Sequence, residues 1–283
     1  MHPTRDSIPQ AARLDDRTAL VTGGGRGIGR ATAIQLARAG ADVVVTARTV
    51  EELEETVEAV AQEGGRARAI PADVADWDAM EDLAAEAEAA FGGVDIVVAN
   101  AGTIAPVGNT WEVDSGAWER NVTVNLAGAF HTVRAFLPGM VERGLGTVIF
   151  VSSGAATHPV VGWSAYCAAK AGVDHFARNL AAELDEEASP IRVHFLYPGI
   201  VSTAMQEKIR SMSQDQFPHV DRFRGYHQRG WLRPPEEPAA LIWWLATPMA
   251  EPFHGESVSI DDPQIRDRMA KDLEIEPFKG RGE

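Results

Sequence analysis

The sequence predicts an α/β fold, a single domain built on a doubly wound parallel sheet of about seven strands with helices on both faces. Three observations predict it. Short apolar runs of strand length alternate with longer helical patterns from residue 18 to residue 262. Runs such as Val43-Val44-Val45 lack polar alternation, as strands covered on both faces do. The first strand runs into a glycine-rich turn, Thr22-Gly23-Gly24-Gly25-Arg26-Gly27-Ile28-Gly29, that opens a helix.

Each element has its own signal. Ala19-Leu20-Val21 forms the first strand, residues 28–39 have helical spacing, and Gly40 ends that helix. Residues 42–47 are the second strand. Residues 50–63 are a helix charged on its outer face and stopped by Gly64-Gly65. A short strand follows at 66–71, an alanine- and glutamate-rich helix at 77–91, and an apolar strand at 94–100. Residues 111–134 read as mostly helical, 147–151 as a strand, 162–187 as a long helix, 191–197 as a strand and 257–260 as the last strand. Such alternation implies right-handed crossovers and parallel pairing. Residues 1–17 form a polar N-terminal extension, 18–262 the domain, and 263–283 a charged C-terminal tail, partly disordered or docked on a neighbour. Residues 202–238 break the rhythm, with Met205, Met212, Phe217, Phe223, Tyr226 and Trp231 among many charges. This stretch is either a lid or a set of surface helices packing their own apolar faces.

Bulk properties exclude several functions. The 283 residues carry a formal charge of −15 with a pI of about 5.0, which opposes nucleic-acid binding, since that needs a basic surface. Cys167 is the single cysteine, so no disulfide closes within the chain, and no Cys/His cluster has zinc spacing. No apolar run reaches membrane-span length, and the N-terminal segment lacks a signal peptide's apolar stretch. The expectation is a soluble cytoplasmic protein with no metal, membrane or nucleic-acid partner.

Two motifs carry chemistry. The glycine turn allows close backbone approach to a pyrophosphate at a helix N-terminus. No Gly-Lys-Ser/Thr ends the run, so a P-loop is excluded. In Tyr166-Cys167-Ala168-Ala169-Lys170, the phenol and the ammonium share one helix face. A nearby cation favours the phenolate and makes its proton easier to move. Ketone reduction needs a donor aimed at the oxygen as hydride arrives, and Tyr166 supplies both hydrogen bond and proton. Ser153, thirteen residues upstream, is the candidate to hydrogen-bond the substrate oxygen, ahead of its neighbour Ser152. Asn125, in Val124-Asn125-Leu126, is a mid-helix amide that needs partners, with Asn121 one turn earlier as a weaker competitor. His158, Trp163 and Met205 are pocket-lining candidates; for Trp163 packing, and for His158 a surface position, are the alternatives.

The glycine turn's spacing, Asn100-Ala101-Gly102 after the fourth strand, the Tyr-x3-Lys pair, and Pro198-Gly199 with Thr203 together resemble the short-chain dehydrogenase/reductase family over residues 18–260. The nearest group is the 3-oxoacyl-(acyl carrier protein) reductase-like ketoreductases. The resemblance implies a Rossmann-type fold and a catalytic set of Asn125, Ser153, Tyr166 and Lys170. Lys170 would also bind the nicotinamide ribose, and Asn125 would hold a water linking the lysine to solvent. It further implies that Gly23, Gly27, Ile28, Gly29, Asn100 and Gly102 line the cofactor, with Asn100 also steadying the central strands. Asp73 and Val74 would contact adenine, Asp73 being alternatively a cap for the helix at Trp77. Pro198, Gly199 and Thr203 would hold the nicotinamide end. Ile260-Asp261-Asp262-Pro263 departs from the family's Asp-Gly-Gly and leaves the C-terminal turn and its subunit contacts open. A homotetramer, with a dimer next, is the expected assembly.

Cofactor choice turns on the end of the second strand. Thr46-Ala47-Arg48-Thr49 has no carboxylate before Glu51, and Arg48 with Arg26 could meet a 2′-phosphate. NADP(H) is therefore favoured, with NAD(H) open if Arg48 faces solvent or stacks on adenine. The expected function is an NADP(H)-dependent oxidoreductase interconverting a small-molecule ketone and a secondary alcohol. The alternatives are an NAD-dependent alcohol dehydrogenase, a weaker enoyl reductase reading, and a non-catalytic dinucleotide-sensing regulator.

Overall fold

Strands form where apolar residues face both ways. A computed structural model of the chain describes residues 8–276 and Phe278. Its sheet comprises β1 (Thr18–Thr22), β2 (Asp42–Thr46), β3 (Arg66–Ala69), β4 (Ile96–Ala99), β5 (Thr147–Val151), β6 (Arg192–Tyr197) and β7 (Ser257–Ser259). All seven pair in parallel, in the order β3-β2-β1-β4-β5-β6-β7. Ala19, Val21, Val43 and Val45 enter one apolar core, while Leu20, Val44, Val97 and Phe150 enter the core on the opposite face. That period-2 division, apolar on both sides, is the predicted doubly covered sheet.

The first core is closed by α1 (Gly27–Arg38) and α9 (Glu236–Ala246), and the second by α3 (Trp77–Phe91), α5 (Gly128–Arg143) and α6 (Ser164–Glu186). Helix α2 (Val50–Gln62) lies at the outer end beside β3. The expected helix over 111–134 begins later and runs further. Asp114 caps α4 (Ser115–Val122) by accepting from Ala117 N at 2.8 Å, so residues 111–114 remain outside it. A π-helical turn, Thr123–Ala127, joins α4 to α5, which ends at Gly144.

The sequence reading gave no element to residues 239–256, yet α9 lies there with every residue from Pro238 to Ala246 buried. Both terminal segments pack on it. Ile8, Ala12 and Leu14 are buried in the first core, and Trp243 Nε1 donates to the Ala12 carbonyl at 2.8 Å. Pro263–Leu273 is a helix, α10, capped by Asp262 and burying Ile265, Met269 and Leu273. Trp244 Nε1 donates to Asp272 at 3.0 Å. This part of the expected tail therefore docks on its own chain; 277 and 279–283 lie outside the described residues.

Parallel pairing puts the C-terminal ends of β1, β4, β5 and β6 on one edge. The strand order reverses between β1 and β4, which opens a crevice at that edge. After β6 come α7 (Ala204–Ser211) and α8 (Val220–Gln228). These two helices and neighbouring loops share a third apolar cluster containing Tyr166, Trp163, Ile104, Ile209, Phe217 and Val220.

Candidate active site

The glycine turn fits a dinucleotide's phosphates. Gly23 and Gly27 hold φ of 64° and 53°, the left-handed region that side chains disfavour. A Cβ at Gly29 would fall 2.1 Å from the Gly23 carbonyl, so only glycine closes the turn. Arg26, at the N-cap of α1, makes no side-chain capping bond, which leaves first-turn N–H groups for an anion. Thr203 faces this turn, its Cγ2 lying 3.2 Å from where a Cβ on Gly27 would stand.

Asn100 locks the crevice. Its Nδ2 donates to the Thr22 carbonyl at 2.8 Å, while Thr22 Oγ1 accepts from the amides of Asn100 and Ala101, each at 3.0 Å. The central strands are thereby fixed where they splay. A side chain at Gly102 would strike Asn125 Oδ1 at 2.7 Å. Gly199, at φ 73°, turns the chain after β6 and the buried Pro198.

Beyond β3, Asp73 is not the cap of α3. Asp76 is, accepting from the amides of Asp78 and Ala79. Asp73 accepts from Ala75 N at 3.0 Å and pairs with Arg120. Burial would raise its pKa, but the Ala75 amide, Arg120 and Arg48 outweigh that and hold it low. Val74 is buried, and its carbonyl bonds the His131 ring at 2.8 Å. Arg48 is exposed just beyond β2. Arg26, expected to reach a ribose phosphate, instead pairs with Glu52 in the first turn of α2 at 3.2 Å.

The chemical end lies past β5. Ser153 follows β5 and starts a short 3-10 turn, its Oγ accepting from Ala155 N at 3.2 Å. Ser153 lies near the Tyr166 hydroxyl and favours its ionised form. Tyr166 is 7% exposed, and Trp163 meets it edge-on with ring centroids 5.8 Å apart. Lys170 lies on the same face, Nζ 5.8 Å from the centre of the Tyr166 ring, and donates to the Val151 carbonyl at 2.8 Å. The sequence expectation was a phenol made more acidic by this cation. In the chain alone burial dominates: it pushes Tyr166 up to about 12, with Ser153 working the other way. Burial also pulls Lys170 down to about 8, opposed by Asp174. A protonated phenol at neutral pH is a proton donor.

Asn125 sits inside the π-helical turn, where one extra residue per turn re-aims side chains. Its Nδ2 donates to the Thr103 carbonyl at 2.8 Å and to Asn121 Oδ1 at 2.9 Å, and its Oδ1 accepts from Thr103 N at 3.1 Å. Asn121 donates in turn to the carbonyls of Thr103 and Ala105. The two amides form one buried unit, whereas the sequence reading set them in competition. His158 is exposed and bonded to Thr157, and Trp163 is packed against residues of α7 and α8 and the loop between them. The sequence reading also missed Asp174 and Tyr197, which join Ser152 in a buried cluster behind Ser153. A carboxylate four residues after Lys170, on the buried face of the helix, was the available signal.

Among the described residues no group of three or more His, Cys, Asp or Glu could hold a metal, and no helix is long and apolar enough to cross a membrane. Known proteins share this architecture. An uncharacterized NAD-dependent oxidoreductase of Mycobacterium tuberculosis is 34% identical over 89% of this chain and 97% of its own length. The crystal structure of levodione reductase superposes with a TM-score of 0.81 at 28% identity, covering 89% of this chain and 99% of that one. A structure from Beutenbergia cavernae with NADP bound at low occupancy gives 0.77 at 33% identity, covering 88% and 96%. The family model for short chain dehydrogenase matches residues 17–214. With strand order, glycine turn and Tyr–Lys helix in agreement, this chain belongs to the short-chain dehydrogenase family and is an oxidoreductase of the CH–OH/C=O pair using NAD(P).

Proposed function

We propose that this enzyme is an NADP(H)-dependent ketoreductase that interconverts a hydrophobic ketone and its secondary alcohol, with Tyr166 as acid and base. The observation that carries the reading is the Ser153–Tyr166–Lys170 constellation at the edge of β5, beside the glycine turn of β1. Gly23, Gly27, Ile28 and Gly29 would hold the pyrophosphate and Asn100 and Gly102 the floor. Asp73 and Val74 would stand near adenine, and Pro198, Gly199 and Thr203 at the nicotinamide end. A bound dinucleotide supplies or accepts the hydride. Ser153 and Tyr166 polarise the carbonyl oxygen by hydrogen bonds, and Tyr166 gives it a proton as charge develops. Lys170 holds positive charge behind the phenol and stabilises the phenolate left behind. The Asn121–Asn125 unit orders Thr103.

The test is Tyr166→Phe. Turnover falls by about 10²–10⁴-fold, the usual share of a general acid, while NADPH binding by fluorescence titration is unchanged. A regulator that only senses the dinucleotide would keep its response in this variant. Exposed Arg48 and the absence of a carboxylate from 46–49 support NADP(H). The Arg26–Glu52 pair favours the second reading, NAD(H), because it places an acid near the ribose end and occupies one of the two expected phosphate ligands. Arg48→Ala separates them: NADPH affinity drops by about tenfold, or 1.4 kcal/mol, with NADH affinity unmoved. Equal losses would reject the NADP(H) preference.

The wall beside Tyr166 is apolar and aromatic, with Trp163, Phe217 and Ile104, which supports a hydrophobic ketone rather than a charged one. Phe130 and Val141 are eleven residues apart on one face of α5 and are 47% and 52% exposed, which supports a homo-oligomer formed through the long helices.

A further inference from the structure

Lys170 is followed one helical turn later by Asp174, and the two residues are 5% and 3% exposed. The Asp174 carboxylate accepts from Ser152 Oγ at the end of β5, and from the Tyr197 hydroxyl at the end of β6 at 2.6 Å. Burial raises the carboxyl's pKa, against which the two hydroxyl donors and the nearby Arg178 and Lys170 favour the ionised carboxylate. The charged and titratable groups around this pair are few. Helix α6 contributes Tyr166, Cys167 and Arg178, and β6 contributes Tyr197. From β5 and its end come only neutral groups, the Val151 carbonyl and Ser152. Lys170 thus lies in a buried site where its hydrogen-bond acceptor is a backbone carbonyl, with a carboxylate one turn along the same helix.

We propose that Asp174 is a positioning residue for the reaction: tied to Ser152 and Tyr197, it fixes the ends of β5 and β6 against α6 and supplies the buried negative charge that keeps Lys170 cationic behind Tyr166. The inference rests on the reading of Tyr166 as acid and base. Its physical basis is that an isolated buried ammonium gives up its proton readily, whereas an opposite charge nearby retains it. Burial alone draws Lys170 down, and Asp174 is the group that opposes this. The tether to Ser152 also sets the backbone immediately before Ser153, so the charge and the substrate-binding hydroxyl are held by one cluster.

The test is Asp174→Asn, which keeps the shape and removes the charge. In oxidation of 1-phenylethanol with NADP+, the rate rises with pH as Tyr166 loses its proton. Without the carboxylate Lys170 deprotonates at lower pH and stabilises the phenolate less, so the rising limb moves upward by about one pH unit. Any direct field of Asp174 on Tyr166, two turns away at roughly 12 Å, has the opposite sign and would move the limb down. A limb that stays in place or moves down overturns the proposal. If the variant fails to fold because a buried cation is left uncompensated, Lys170→Met added to it restores folding; a double variant no better than the single one overturns the pairing. If the wild type oxidises no alcohol with either dinucleotide, the functional reading falls instead. The same cycle, read as urea stability, then still decides whether the two charges are coupled, additive losses speaking against it.

Discussion

At the scale of single residues, burial decides which protons this protein holds. Tyr166 is kept protonated by desolvation, and so is fit to donate to a carbonyl oxygen. His194, on β6, shows the same force with the opposite charge. It is fully buried, bonds the Phe253 carbonyl through Nδ1 at 3.0 Å, and has no hydrogen-bond partner at Nε2 among the described residues. Burial lowers its pKa to about 3, the Phe253 carbonyl opposing and Arg192 and His254 assisting. The unfolded chain, near 6.5, therefore takes up a proton that the folded chain refuses. His194 leaves stability untouched above pH 6.5 and erodes it as pH falls toward 3, at up to about 1.4 kcal/mol per unit. Urea midpoints for His194→Gln between pH 7 and 4.5 should show a flatter acid loss than the wild type. A parallel pair of curves would mean that the imidazole is protonated in the fold.

At the scale of elements, what the sequence revealed follows from periodicity. The strands and α1, α2, α3 and α6 have a clear period and lie within a few residues of expectation. Helix α9 was invisible because Ala239-Ala240-Leu241-Ile242-Trp243-Trp244-Leu245 is apolar all round, and such a run carries no amphipathic signal. It is buried on every side because the N-terminal segment and α10 cover it. For α10 the signal was present in the motif that departs from the family. Asp262 is an N-cap and Pro263 a first-turn residue, while Asp261 pairs with Arg233 at 2.8 Å. The Tyr166–Lys170 spacing was legible because both residues share one helix. The Ser152–Asp174–Tyr197 cluster was not, because its members meet only when three elements pack. A dispensable tail and a core helix predict different outcomes. Met269 is fully buried, so Met269→Ala should cost about 2–5 kcal/mol in urea unfolding. Ending the chain after residue 262 should expose Trp244 and abolish soluble, folded protein. Wild-type stability in either variant would return this segment to the status of a surface tail.

At the scale of the whole molecule, three apolar clusters divide the work. Two lie against the sheet, while the third joins α7 and α8 to the loops around Tyr166. The excursion leaves and rejoins the sheet domain at one place, where Val201 bridges Arg233, and Arg233 binds Glu237 and Asp261. A segment pinned at its base and packed on the loops around Tyr166 through one cluster can open without disturbing the sheet. Phe217 is the centre of that cluster: it is fully buried, stacked on Trp163 at 5.6 Å and tilted against Phe223 at 5.4 Å. Truncating a buried phenylalanine costs about 3–5 kcal/mol. If the lid opens as a unit, Phe217→Ala transfers that loss to local opening rather than to global stability. Amide hydrogen exchange across α7 and α8 should then accelerate by at least about 10²-fold, with β4 and β5 exchanging at wild-type rates. The same variant should raise KM for a hydrophobic ketone more than it lowers kcat, since Ser153 and Lys170 stay where β5 and α6 hold them. Uniform acceleration across sheet and lid would show instead that residues 202–238 are part of one cooperative core, and that substrate enters by another route.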